Sequence, residues 1–156
     1  MIDAHKLSIG LLLPIEAYEG AIPKMENQIQ LIQRAEMLGF NAVWVRDIPL
    51  YTPDFNEVGQ MFDPWIYLAH IATLTQSIKF GFASVILPLR HPLHVAKASA
   101  SLDVLFPKRF MMGVASGDRP VEYPAFNELY ESRSTRVLEH MAMLRDLEQR
   151  VPYLQQ

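Results

Sequence analysis

Ser116-Gly117-Asp118-Arg119 follows directly on the apolar run Arg109 to Val114, and Ala83-Ser84 sits inside the run Ile78 to Leu87. A hydroxyl, a glycine that admits a ligand close to the main chain, and a carboxylate can together hold a polar ligand; the same residue types are what a turn requires. Small side chains between Phe82 and Val85 let a flat ligand reach the backbone. Alternating large and small side chains are equally how barrel interiors fill their layers, and Trp44, Phe80, Phe82 and Met111 read as core on the same ground. The histidines are His5, His70, His91, His94 and His140. The one close pair, His91 and His94, stands at i, i+3 with no carboxylate pair nearby, so no metal site is expected and His91 before Pro92 reads as the cap of a helix. Gly10 and Gly20 are too far apart for a dinucleotide-binding turn, and no P-loop is present.

The elements that must position these residues alternate. Leu7 to Leu13 reads as a strand buried on both faces, closed by Pro14. After a loop with Gly20 and Pro23, Met25, Ile29, Ile32, Ala35 and Leu38 recur at helical spacing, with Gly39 at the C-terminal cap. Asn41 to Arg46 is a second strand, followed by a proline-punctuated loop from Pro49 to Asp63 that carries Tyr51, Phe55 and Phe62. Asp63-Pro64 has the form of an N-cap with proline at the first helical position, opening a helix from Trp65 to Thr75. Ile78 to Leu87 is the third strand and His91 to Leu105 its helix, stopped by Pro107. Arg109 to Val114 is the fourth strand, Ala115 to Pro124 a polar loop, and Glu131 to Glu148 a helix with Val137, Met141, Leu144 and Leu147 on one side. Four βα units of this kind predict an α/β fold with parallel strands. An open doubly wound sheet and a (β/α)8 barrel both satisfy the pattern. In either, the loops after the strands gather where ligands bind, which singles out Ser116 to Asp118.

Composition narrows the function classes. The formal net charge of -3 gives no electrostatic reason to bind nucleic acid or an anionic membrane surface. No apolar stretch reaches the ~20 residues that cross a bilayer, and Met1 to Lys6 lacks the basic flank of an export signal. With no cysteine there is no disulfide, thiolate ligand or cysteine nucleophile, and a cytoplasmic location is expected.

Ala35-Glu-Met-Leu-Gly-Phe-Asn-Ala-Val-Trp-Val45, Asp63-Pro64 with Leu68-Ala69, Leu87-Pro-Leu-Arg-His-Pro92, Ala98-Ser-Ala-Ser-Leu-Asp103 and Lys108-Arg-Phe-Met-Met-Gly-Val-Ala-Ser-Gly-Asp118 resemble, in order and spacing, the bacterial-luciferase-like flavin monooxygenases. The resemblance runs from the first strand to the fourth helix. It implies a TIM-type (β/α)8 barrel of which about four units, half a barrel, are present, in a single domain over 1–156 cut short on its C-terminal side, since such barrels take ~250 residues. It implies FMN, or in some branches the deazaflavin F420, bound at the carboxyl ends of the strands.

By that resemblance Ala83-Ser84 forms a non-proline cis peptide behind the flavin ring, a bond costing ~3 kcal/mol, and Ser116, Gly117 and Asp118 line the flavin edge or its phosphate side. Many relatives carry a histidine just after the second strand, where this chain reads Arg46-Asp47-Ile48-Pro49. Asp47 would then serve proton transfer if burial raises its pKa, and Arg46 would hold a reduced flavin anion or an acidic substrate. Luciferases place an arginine where this chain has Ser116, so light emission is not expected. The implied activity is oxidation of a small organic substrate with reduced FMN and oxygen; the alternatives are an F420-dependent hydride-transfer dehydrogenase, or a non-catalytic half-barrel that keeps the core without turnover. Unsatisfied strand edges imply a homodimer.

Overall fold

The structure, a computed structural model, describes residues 7–16, 22–52 and 62–148. The expectations for Met1 to Lys6, Gly20 and Phe55 lie outside the described residues. The element order is β1 (Gly10–Leu12), α1 (Gln28–Met37), β2 (Ala42–Val45), α2 (Pro64–Thr73), β3 (Lys79–Ile86), α3 (Pro92–Leu105), β4 (Phe110–Ala115) and α4 (Arg133–Glu148), with 3-10 turns at Leu87–Leu89, Pro120–Phe126 and Tyr130–Ser132. The strand order is β1-β2-β3-β4. Gly10 pairs with Ala42 and Leu12 with Trp44, and Ala42 pairs with Lys79 and Val45 with Phe82, both ladders parallel. The expected strict βα alternation with parallel strands is what the chain adopts. It folds as two compact units, Met1–Ala83 and Ser84–Gln156.

In the first unit, Ile32 and Ala35 of α1, Val43 and Val45 of β2, Leu68 and Ile71 of α2, and Phe80 and Phe82 of β3 are buried. Phe80 and Phe82 are therefore core, as expected, and Trp65 packs its ring 4.4 Å from that of Phe82. Asp63 caps α2: its carboxylate accepts from the N–H groups of Trp65 at 3.0 Å and Ile66 at 3.1 Å, and Pro64 follows where its missing donor costs nothing. Gly39, at φ 84°, ends α1 in the left-handed conformation that a side chain resists.

Two expectations for this unit are corrected. The helix begins at Gln28 rather than Met25, because Met25 and Asn27 have positive φ and turn the chain ahead of it. The first strand is three residues long, and Leu7, Ile9 and Leu12 are 90%, 52% and 50% exposed rather than buried on both faces. It stands at the end of the strand order and is hydrogen-bonded on one side only, to β2.

In the second unit, His91 caps α3 by accepting from the Leu93 N–H at 3.3 Å through Nδ1, the role its place before Pro92 predicts. Val95, Ala96, Ala100 and Leu102 bury one side of α3. The expected apolar side of α4 is only half covered, at Val137, Met141, Leu144 and Leu147. Among the described residues of this helix the buried one is polar: His140 lies 3.0 Å through Nδ1 from the Leu87 carbonyl, just past β3, and Arg136 beside it pairs with Glu128.

A carboxylate closes the base of the first unit. Glu36, near the end of α1, accepts from the main-chain N–H groups of Gln76, Ser77 and Ile78 and from the Ser77 hydroxyl, which pins the entry to β3. Burial alone pushes the Glu36 pKa up, but the hydrogen bonds outweigh it and hold the group below its ordinary value of 4.5. A carboxyl depressed in the folded state contributes stability above its unfolded pKa and loses it as pH falls through the folded value. Glu36→Ala is therefore expected to cost about 2 kcal/mol at neutral pH, the range of hydrogen bonds to a charged group. Thermal midpoints followed by circular dichroism should show the gap between wild type and Glu36→Gln narrowing as pH drops below 4.5.

Candidate functional site

In the first unit, the residues that follow β2 are Arg46, half-buried, and Asp47, 4% exposed. Both are engaged with other groups. Ala83 is exposed although its strand neighbour Phe82 is wholly buried, so a methyl group is all that covers the backbone there. The Ala83-Ser84 peptide is not cis: β3 runs unbroken from Lys79 to Ile86, and an extended strand gives no reason to bear the cost of a cis bond.

In the second unit, Ser84, Ser116 and Gly117 are half-buried and Asp118 is exposed. Gly117 has φ 78°, and a Cβ placed on it would lie 2.7 Å from Ile86 Cγ2 and 3.1 Å from the Tyr123 hydroxyl. The turn after β4 is thus pressed against the carboxyl end of β3, two residues beyond Ser84, and only glycine fits at that approach. Among the expected site residues, Ser116 and Gly117 are the ones held at the end of β3, two residues past Ser84.

The expectation of a merely polar loop from Ala115 to Pro124 is wrong in its second half. Pro120–Phe126 winds into a 3-10 turn that buries Tyr123 completely and Glu122 to 2% exposure. The Tyr123 hydroxyl donates to the Ser116 carbonyl. Its ring meets Tyr130 edge-on at 5.3 Å, and the Arg133 guanidinium lies 3.9 Å above Tyr130. Burial pushes the Tyr123 phenol up, opposed by Arg133, so it is a protonated donor at neutral pH. Arg119 and Glu122, both buried, stand as an ion pair at 3.9 Å. The signal for this is in the sequence: Pro120-Val-Glu-Tyr-Pro-Ala-Phe126, apolar but for Glu122, carries too much apolar surface for a solvated loop. Among the described residues no three His, Asp or Glu side chains come together as a metal site, and no helix is long and apolar enough to cross a membrane.

Within the second unit the arrangement is a hydroxyl and glycine turn, Ser116-Gly117, fixed after β4 against Ile86 at the end of β3. A sequence profile of the family described as luciferase-like monooxygenase matches residues 7–153. The chain belongs to that family. Its fold is that of the TIM-type barrels of luciferase-like enzymes, represented here by four βα units. The F420-dependent hydroxymycolic acid dehydrogenase of Mycobacterium tuberculosis is 34% identical over 143 residues, covering 89% of this chain and 38% of that enzyme. Among solved structures, the monooxygenase RslO1 from Streptomyces bottropensis superposes with a TM-score of 0.75 at 23% identity, over 90% of this chain and 43% of that one. The oxygenating constituent of 3,6-diketocamphane monooxygenase from Pseudomonas putida, solved in complex with FMN, does so with a TM-score of 0.73 at 17% identity, over 91% of this chain and 40% of that one. The chain spans less than half the length of each of these luciferase-like relatives.

Replacing Gly117 and Gly39 by alanine separates backbone strain from crowding. Both have positive φ, but nothing lies within 4 Å of a Cβ at Gly39. Gly39→Ala should cost about 1 kcal/mol from the left-handed conformation alone. Gly117→Ala should cost measurably more in denaturant unfolding, since Ile86 and Tyr123 must also give way.

Proposed function

We propose that the protein is a flavin-dependent oxidoreductase that uses reduced FMN and oxygen on a small organic substrate, in a cytoplasmic setting. The observation that carries this reading is the Ser116-Gly117 turn held against the end of β3 in a chain of this family. The donor set fits a flavin: Ser84 and Ser116 offer hydroxyls, and the small side chain of Ser84 on β3 leaves room beside them.

In this reading Ser84, Ser116, Gly117 and Asp118 of the second unit hold the cofactor. Taken by itself, the first unit carries Ala83, whose methyl group leaves the main chain open, and after β2 the cation Arg46, which would steady an acidic group, and the buried carboxylate Asp47, which would take or return a proton. Bound flavin supplies the two-electron chemistry, and the protein's task is to orient the partners and exclude water. The exposed apolar residues Leu7, Ile9 and Leu12 in and just before β1, at one end of the strand order, suit pairing with a second copy, so a homodimer belongs to the proposal.

A second reading, hydride transfer with F420, is favoured by the 34% identity to a dehydrogenase named for that cofactor. Titrating the purified chain with FMN and with F420, following fluorescence quenching alongside mass by light scattering, separates the two. The expected result is micromolar FMN uptake by a dimer. Preference for F420 would move the assignment to a dehydrogenase, and a folded chain that takes up neither would overturn the cofactor reading in favour of a structural half-barrel.

A further inference from the structure

The cofactor reading concerns residues that would touch a ligand; what sets their orientation lies one step behind them. Ser116 is the first residue after β4, where strand pairing stops and its carbonyl is no longer fixed by a ladder. A bare carbonyl there would offer a ligand an acceptor, and an acceptor-rich edge such as a flavin's pyrimidine ring or a phosphate would be repelled by it. The structure spends that carbonyl elsewhere. The Tyr123 hydroxyl, wholly buried and seven residues on, donates to it. The phenol is itself held by the edge of Tyr130, with Arg133 behind.

We propose that Tyr123 is a positioning residue, which holds the Ser116 carbonyl turned toward its own hydroxyl and so fixes the orientation of the Ser116-Gly117 turn that an acceptor-bearing cofactor would meet. The proposal rests on the cofactor reading for its consequence, though not for its geometry. It also accounts for a coincidence of spacing. The Tyr123 oxygen lies 3.1 Å from where a Cβ on Gly117 would stand, so the glycine and the phenol are coupled: a side chain at residue 117 would press on the hydroxyl as well as on Ile86.

The test is Tyr123→Phe, which keeps the ring and its contact with Tyr130 and removes one oxygen. In the full chain labelled with carbon-13, the Ser116 carbonyl resonance should move upfield as it loses its donor, with resonances far from residues 116–123 unchanged. FMN should bind about fivefold to tenfold more weakly, the equivalent of one hydrogen bond, while the thermal midpoint falls by only a few degrees. Gly117→Ala should cost less stability in the Tyr123→Phe background than in wild type, a non-additivity that a double-mutant cycle reads directly. An unmoved Ser116 carbonyl overturns the proposal, and so does a moved carbonyl with unaltered affinity in a chain whose parent binds FMN. If the parent takes up no flavin, the cofactor reading fails by itself and the carbonyl resonance alone decides whether Tyr123 orients the turn. Should Tyr123→Phe not fold, the unaltered chain still answers: a slowly exchanging tyrosine hydroxyl proton close to Ser116 and Gly117 supports the proposal, and its absence sinks it.

Discussion

Two strands that pair in parallel cannot be joined by a tight hairpin; the chain must travel back along the sheet before the next strand begins. β1, β2 and β3 pair this way, and the helices α1 and α2 make the return journeys. The consequences reach every residue. Strands covered by helices must be apolar through most of their length, which is why Val43, Val45, Phe80 and Phe82 are all buried. The same constraint sends the start of every loop that follows a strand to one end, so the residues best placed to meet a ligand are separated in sequence by whole βα units.

Return helices bring a second problem, since each has orphan N–H groups at one end and orphan carbonyls at the other. The chain meets it with side chains of three kinds. Asp63 supplies a carboxylate to the start of α2 and His91 a ring nitrogen to the start of α3. Glu36 works in the opposite sense, reaching from near the end of α1 to gather three main-chain donors that lie ahead of β3. His140 ties α4 to the carbonyl of Leu87, just beyond β3. These contacts lie where elements begin and end, and the apolar cores between them need only fill space.

This division explains what could be read from the sequence. The strand and helix order, the Asp63 and His91 caps and the Gly39 stop are local rules, written in neighbouring residues, and each appears where the sequence places it. β1 departed from expectation because burial depends on neighbours on both sides of a strand, and periodicity within Leu7 to Leu13 says nothing of them. Met25 and Asn27 took positive φ for a reason that helical spacing does not encode. Tyr123 was passed over because its partner, the Ser116 carbonyl, is main chain and leaves no mark in residue type. Ser116 and Gly117 were legible as a ligand-facing turn; the phenol that orients them was legible only as too much apolar surface in a loop.

The buried pair Arg119 and Glu122 follows from the same turn. A 3-10 segment that carries Tyr123 inward also carries the residue before it, and a carboxylate brought to 2% exposure is costly unless a cation comes with it. Removing one partner of such a pair leaves the other charge buried and uncompensated, which costs more than replacing both. The strand end is therefore held at its first residue by a phenol and at its fourth by an ion pair. Between those two anchors Gly117 is pressed against Ile86 and Asp118 is left exposed. A rigid turn with one exposed polar residue is a better ligand contact than a mobile one, because its order is established on folding and is not charged again against binding.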